Sequence, residues 1–139
     1  MTKVLATGTF EILHPGHLTY LRCAKALGDE LIVIVARDKM IKHKRAPVVP
    51  EEQRLEMVQS LSIVDRAILG SERDIFEPLY EIKPDVIALG HDQCFDADEL
   101  TGQLRKRGLE AKVVRIEEFN PGELCGCGKI VEKIIEKYG

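Results

Sequence analysis

Leu31-Ile32-Val33-Ile34-Val35-Ala36 is an unbroken apolar run of strand length. A strand with one wet face alternates apolar and polar residues. A run with no polar break reads as a strand buried on both faces, as in a parallel sheet covered by helices. Shorter stretches of similar character occupy residues 3–7, 66–69, 85–89 and 112–116. Between them the apolar rhythm becomes helical. Leu18, Leu21, Ala24 and Leu27 share a face of a helix predicted over 16–27, and Gly28 stops it. Pro50-Glu51-Glu52 opens a second helix, with Leu55, Val58, Gln59 and Leu61 along it. A third spans 74–82 and ends where Lys83 precedes Pro84. A fourth spans 98–107, closed by Gly108, and a fifth spans 129–138.

This strict β-α alternation predicts a single domain over residues 1–139. Its fold class is α/β: a Rossmann-like, doubly wound, parallel five-stranded sheet with helices on both faces. Ligands of such sheets bind beyond the carboxyl ends of the strands, at the topological switch point. The segments to read for chemistry are therefore 8–17, 37–50, 90–96 and 117–129.

Composition agrees. A chain of 139 residues, 45% apolar and 31% charged, is of globular rather than disordered type. Twenty Lys and Arg against 23 Asp and Glu leave a net charge of −3, which argues against a protein that coats nucleic acid. No apolar run approaches the roughly 20 residues of a membrane helix, and the start lacks a signal peptide, so the expected location is the cytoplasm. Cys23, Cys94, Cys125 and Cys127 lack the spacing of a disulfide framework and are expected to be thiols.

The strongest local signal is Thr7-Gly8-Thr9-Phe10-Glu11-Ile12-Leu13-His14-Pro15-Gly16-His17. The two histidines are three apart at a helix entry, where they share a side. Gly16 removes a side chain where backbone must approach a ligand, and Gly8 leaves room for a nucleotide across the sheet edge. Free N–H groups at a helix start, with two imidazole donors, form an anion site suited to phosphates.

Gly-Thr-Phe followed by His-Pro-Gly-His resembles the nucleotidyltransferase superfamily with the H-x-G-H signature. The likeness extends to Pro50-Glu51-Glu52-Gln53-Arg54, to Leu89-Gly90-His91-Asp92 and to the last helix. Where that family carries a Ser/Thr pair before the last helix, this chain has Cys125-Gly126-Cys127-Gly128. With the short length, this makes the chain most similar to the archaeal-type FAD synthases, which transfer AMP from ATP to FMN. A glycerol-3-phosphate or similar cytidylyltransferase using CTP is the alternative. A nucleotide-sensing module without turnover, and a metal- or redox-binding protein, are the readings outside catalysis.

The resemblance implies catalytic roles for His14 and His17 as donors to the ATP phosphates. In the basic stretch 39–45, Lys44 or Lys42 is expected to meet the β- and γ-phosphates. Nucleotide binding is expected from Gly8, Thr9, Phe10, His14, Pro15, Gly16, His17, Arg54, Asp92 and Asn120. A divalent cation such as Mg2+ would ride on the nucleotide, with no protein cage. The implied partners are ATP and FMN, with no nucleic acid and no membrane. A homodimer is implied too, although no contiguous apolar stripe marks its interface. Phe95, Phe119 and Tyr80 are candidates to pack the flavin ring. Cys125 and Cys127 have three readings: small residues in a phosphate-wrapping turn, an oxidation-sensitive thiol pair, or a zinc site with His91 and Cys94.

Overall fold

The alternate residues of the Leu31 run enter two different cores. Leu31, Val33 and Val35 join Val4, Ala6, Leu21, Ala24 and Val58 in one cluster. Ile32 and Ile34 join Leu5, Ile87, Leu89, Leu79, Ile82 and Leu104 in the other. The strand is thus buried on both faces, which is why its sequence shows no alternation.

The computed structural model describes residues 1–41, 47–91, 93, 95–117 and 122–139. Its elements are β1 (Lys3–Gly8), α1 (Pro15–Lys25), β2 (Glu30–Val35), a short 3-10 turn (Asp38–Met40), α2 (Glu51–Gln59), β3 (Arg66–Leu69), α3 (Glu77–Ile82), β4 (Val86–Leu89), α4 (Ala97–Lys106), β5 (Lys112–Arg115) and α5 (Cys127–Tyr138). The sheet has five strands in the order β3-β2-β1-β4-β5. Every pairing is parallel. Helices α1 and α2 supply buried residues to the first core, α3 and α4 to the second. The chain builds outward from β1 through β3, then crosses back to β4. The switch point is therefore between the carboxyl ends of β1 and β4.

Four details depart from expectation. Helix α1 ends at Lys25, so Leu27 leaves its buried face and is exposed. Helix α3 begins at Glu77, not Asp74. The Ser71 hydroxyl accepts the N–H groups of Arg73 and Asp74, and the Asp74 carboxylate accepts that of Phe76, which makes this segment a turn. Helix α2 buries Glu51, Arg54 and Val58, while Gln59 lies exposed. Two charged residues can face inward because both are paired there. Finally, α5 buries none of its residues, and Val131, Ile134, Ile135 and Tyr138 form an exposed apolar stripe at helical spacing. Among the described residues, no helix is long and apolar enough to cross a membrane.

Glu51 ties α2 to the segment after β2. Its carboxylate accepts the Asp38 N–H at 3.0 Å and pairs with Arg37 at 2.7 Å. The Asp38 N–H holds its pKa below the usual carboxylate value, burial opposes this, and Arg37 adds to the lowering. A depressed pKa stabilises the fold above the unfolded value, and that stabilisation is lost as pH falls through the folded one. Glu51→Gln is expected to cost about 1–2 kcal/mol at pH 7. The deficit should shrink as melting is repeated at acid pH. A deficit unchanged from neutral to acid pH would mean that the carboxylate charge contributes nothing.

Candidate active site

The loop leaving β1 turns sharply at Phe10, which has a positive φ of 53°. This left-handed conformation is rare for a bulky residue and costs on the order of 1–3 kcal/mol unless its surroundings enforce it. The enforcement comes from Arg54, only 1% exposed although charged. Its Nη1 donates to the Thr9 carbonyl at 2.7 Å and to the Ala36 carbonyl at 2.9 Å. Its Nε donates to the Val49 carbonyl at 3.0 Å, and Nη2 to Asp38 at 2.5 Å. Four of the five guanidinium N–H donors are thereby committed. Neither Glu51 nor Glu52 takes part in these bonds; Glu51 belongs to Arg37. Arg54 acts as a strut beneath the site, and its geometry gives no support to direct contact with phosphate.

His14 caps α1 from an extended backbone, and Pro15, which has no N–H to satisfy, opens the helix. The His14 Nδ1 accepts the Gly16 N–H at 3.1 Å. In return the His14 N–H donates to Nδ1 of His17 at 3.3 Å. This is a capping box built from two imidazoles instead of a hydroxyl and a carboxylate. Because both Nδ1 atoms accept, each neutral ring carries its proton on Nε2. The rings stack with centroids 3.8 Å apart at 24°. The outcome is two N–H donors beside the positive end of a helix, as an anion site requires.

The glycines serve neighbours that the sequence does not point to. A Cβ on Gly16 would lie 2.9 Å from the His14 ring and 3.3 Å from the Cys125 carbonyl. A Cβ on Gly8 would lie 2.8 Å from the Phe10 ring. The space expected to admit a nucleotide at Gly8 is therefore filled by that ring. The Phe10 side chain, 3% exposed, belongs to the core rather than to an open nucleotide surface.

The Cys125–Cys127 turn lies against the histidine loop. Cys127 is the first residue of α5, and its Sγ donates to the Ile12 carbonyl at 3.4 Å. One ligating atom each from His14, His17 and Cys127 lie within 4.8 Å of one another. The chemistry of this set does not fit a hard cation such as Mg2+, which prefers oxygen ligands. A softer ion on Nε2 would need each Nδ1 protonated, breaking both bonds of the capping box.

At the other side of the switch point, β4 is held by residues that carry no motif. The Tyr20 hydroxyl donates to the Ala88 carbonyl at 2.6 Å and accepts the Thr7 N–H at 3.2 Å. Gln93 accepts the Gly90 N–H at 2.6 Å and donates to the Thr7 carbonyl at 3.2 Å. Arg115 donates to the Gly90 and Gln93 carbonyls, both at 2.9 Å, and to the Phe95 carbonyl. Phe95 and Tyr80 are both exposed, the first beside this loop and the second on α3. Of the expected site residues, Gly8, Thr9, Phe10, His14, Pro15, Gly16, His17 and Arg54 converge at the end of β1. Lys42, Lys44, Asp92, Asn120 and Phe119 lie outside the described residues, as does Cys94 of the zinc reading with His91.

The cytidylyltransferase-like family profile matches residues 5–133. A protein of Methanococcoides burtonii named FAD synthase is 60% identical over 139 residues, covering 100% of this chain and 97% of its own. An FAD synthase of Archaeoglobus fulgidus is 61% identical, covering 97% of this chain and 98% of its own. Among solved structures, one titled lipopolysaccharide core biosynthesis protein, from Thermoplasma volcanium, superposes with a TM-score of 0.83 at 47% identity. That match covers 86% of this chain and 99% of the other. A pantoate-beta-alanine ligase of Francisella tularensis shares the fold, with a TM-score of 0.65 at 16% identity, covering 98% of this chain and 69% of its own.

Arg54→Met is expected to destabilise the protein by about 3–5 kcal/mol, the usual cost of removing one partner from a buried, hydrogen-bonded ion pair. Denaturant unfolding measures it. A loss below about 1 kcal/mol would show that the strut carries little of the fold.

Proposed function

The chain belongs to the cytidylyltransferase-like family of nucleotidyltransferases, and from that premise we propose the reaction FMN + ATP → FAD + pyrophosphate. The alternative, a CTP-dependent transfer to a small phosphorylated alcohol, loses ground because relatives near 60% identity along the whole chain are named FAD synthase. The observation that carries the chemistry is the histidine capping box, which commits both Nδ1 atoms as acceptors at the helix start that follows β1, so that the proton of each neutral ring is on Nε2.

The FMN phosphate is ionised at neutral pH and is itself the nucleophile. Its oxygen attacks the ATP α-phosphorus in line. The bond from that phosphorus to the bridging oxygen breaks, and pyrophosphate leaves with the electron pair. No side-chain nucleophile and no strong base are needed. Catalysis then rests on positioning and on donors aimed at the developing charge. His14 and His17 supply neutral donors to the phosphates. Thr9 and Phe10 contribute backbone at the nucleotide, and Pro15 and Gly16 shape the helix start. Asp92 and Asn120 bind nucleotide, and Lys44, or Lys42 beside it, meets the outer phosphates. Arg54 serves by holding Thr9 in place.

Nucleotidyltransferases of this kind use a divalent cation. Here we infer Mg2+ held by the triphosphate, since the soft donors His14, His17 and Cys127 make a poor seat for it.

The test offers ATP or CTP against FMN, glycerol-3-phosphate and phosphoethanolamine, with pyrophosphate as the readout. Pyrophosphate and FAD are expected from ATP with FMN. An equal or higher kcat/KM with CTP would overturn the adenylyl assignment. His14→Asn separates the two duties of that residue, because asparagine is a good helix cap. The variant should stay within about 1 kcal/mol of wild-type stability. It should lose roughly a hundredfold in turnover, the usual effect of removing one transition-state donor. His17→Ala should lose a similar amount. Near-wild-type turnover in either variant would remove the phosphate role.

A further inference from the structure

The proposed chemistry needs His17 in one orientation, yet an imidazole can rotate about its last torsion. What restrains it is on the page. The His14 ring stacks on one side at 3.8 Å. The Phe10 ring meets it from another direction, centroid to centroid 5.2 Å and tilted by 57°, within the range of favourable aromatic pairs. The Phe10 ring is itself fixed. It is 3% exposed, it sits where a Cβ on Gly8 would be, and its backbone is in the left-handed region. The carbonyl immediately before it, that of Thr9, is held by Arg54.

We propose that Phe10 is a positioning residue: its buried ring keeps the His17 imidazole in the orientation in which Nδ1 accepts the His14 N–H and Nε2 carries the proton. The chain of control runs from Arg54 through the Thr9 carbonyl and the strained Phe10 backbone to the His17 ring. The glycine at position 8 is part of the same device, because only a residue without a Cβ lets the Phe10 ring lie there. The left-handed turn is what brings an aromatic ring back under the histidine that follows seven residues later. This inference rests on the functional reading only where activity is measured.

Two variants disturb the ring in different ways. Phe10→Leu keeps an apolar side chain but removes the ring; Gly8→Ala keeps the ring but pushes it aside. In both, kcat for FAD formation is expected to fall about tenfold or more while KM for ATP changes little, since misplacement of a catalytic group costs rate. Long-range nitrogen NMR of His17 in the nucleotide-free protein supplies a second readout. Wild type should show a single Nε2–H tautomer, and both variants a mixture. Val64→Ala, which trims the same core in the segment between α2 and β3, is the control for lost stability and should leave kcat and the His17 spectrum unchanged. A wild-type kcat in Phe10→Leu, or an unchanged His17 spectrum in both variants, overturns the proposal. If wild type makes no FAD at all, the functional reading fails, and the nitrogen spectrum still decides the role of Phe10.

Discussion

The buried guanidinium of Arg54 is the constraint on which the site depends. Three carbonyls outside the strands converge on it: those of Thr9 and Ala36, just past the ends of β1 and β2, and that of Val49, just before α2. Buried and unpaired, each would cost about 1–3 kcal/mol. A single planar cation satisfies all three and is neutralised by Asp38. Lysine could not do this, because its one nitrogen lacks the fixed fork of donors. Asp38 in turn gives its N–H to Glu51, which pairs with Arg37, and Arg37 donates to the Gly70 carbonyl at the end of β3. One connected network thus closes the carboxyl ends of β1, β2 and β3. Among the described residues no buried side-chain nitrogen or oxygen lacks a partner, the condition under which a buried polar network stiffens a fold instead of weakening it.

On that base, the histidine pair divides two tasks between its ring nitrogens. Its Nδ1 atoms start a helix, and in the proposed reaction its Nε2–H groups meet phosphate. A serine–glutamate capping box would start the helix equally well, but its carboxylate would repel phosphate. The imidazole version satisfies the same backbone groups while presenting neutral donors. Fixing the tautomer by a backbone N–H is also firmer than fixing it by a side chain, since the backbone at a helix start cannot easily turn away.

What the sequence made legible follows from which forces leave a local trace. The two-faced burial of β2 shows in residues 31–36 because both cores demand apolar side chains. The histidine loop shows because a helix start, a proline and a glycine fall in fixed order. The buried face of α2 does not show. Glu51 and Arg54 look like solvent residues, and only partners 14 and 16 positions away make them core. Gly8 was legible as a close approach but not as whose, since the ring that fills its space swings back only through an unusual φ at Phe10. Gln93 and Arg115 left no signal, because a lone amide or guanidinium in a loop or at a strand end has many ordinary uses.

The division of charge around the site follows from the same logic. The described arginines nearest the switch point are spent on backbone carbonyls: Arg54 and Arg37 around β1 and β2, Arg115 at β4 and β5. The histidines bring neutral donors, and the chain as a whole carries −3. A triphosphate carries far more negative charge than two imidazoles and a helix end, equivalent to about half a unit charge, can balance. In the reaction proposed above, the remaining compensation would fall to a cation travelling with the nucleotide and to the basic residues of the sequence segment 39–45. Such a division suits a transferase that must release pyrophosphate. Cations built into the scaffold would hold that product as firmly as the substrate, whereas a metal ion can depart with it.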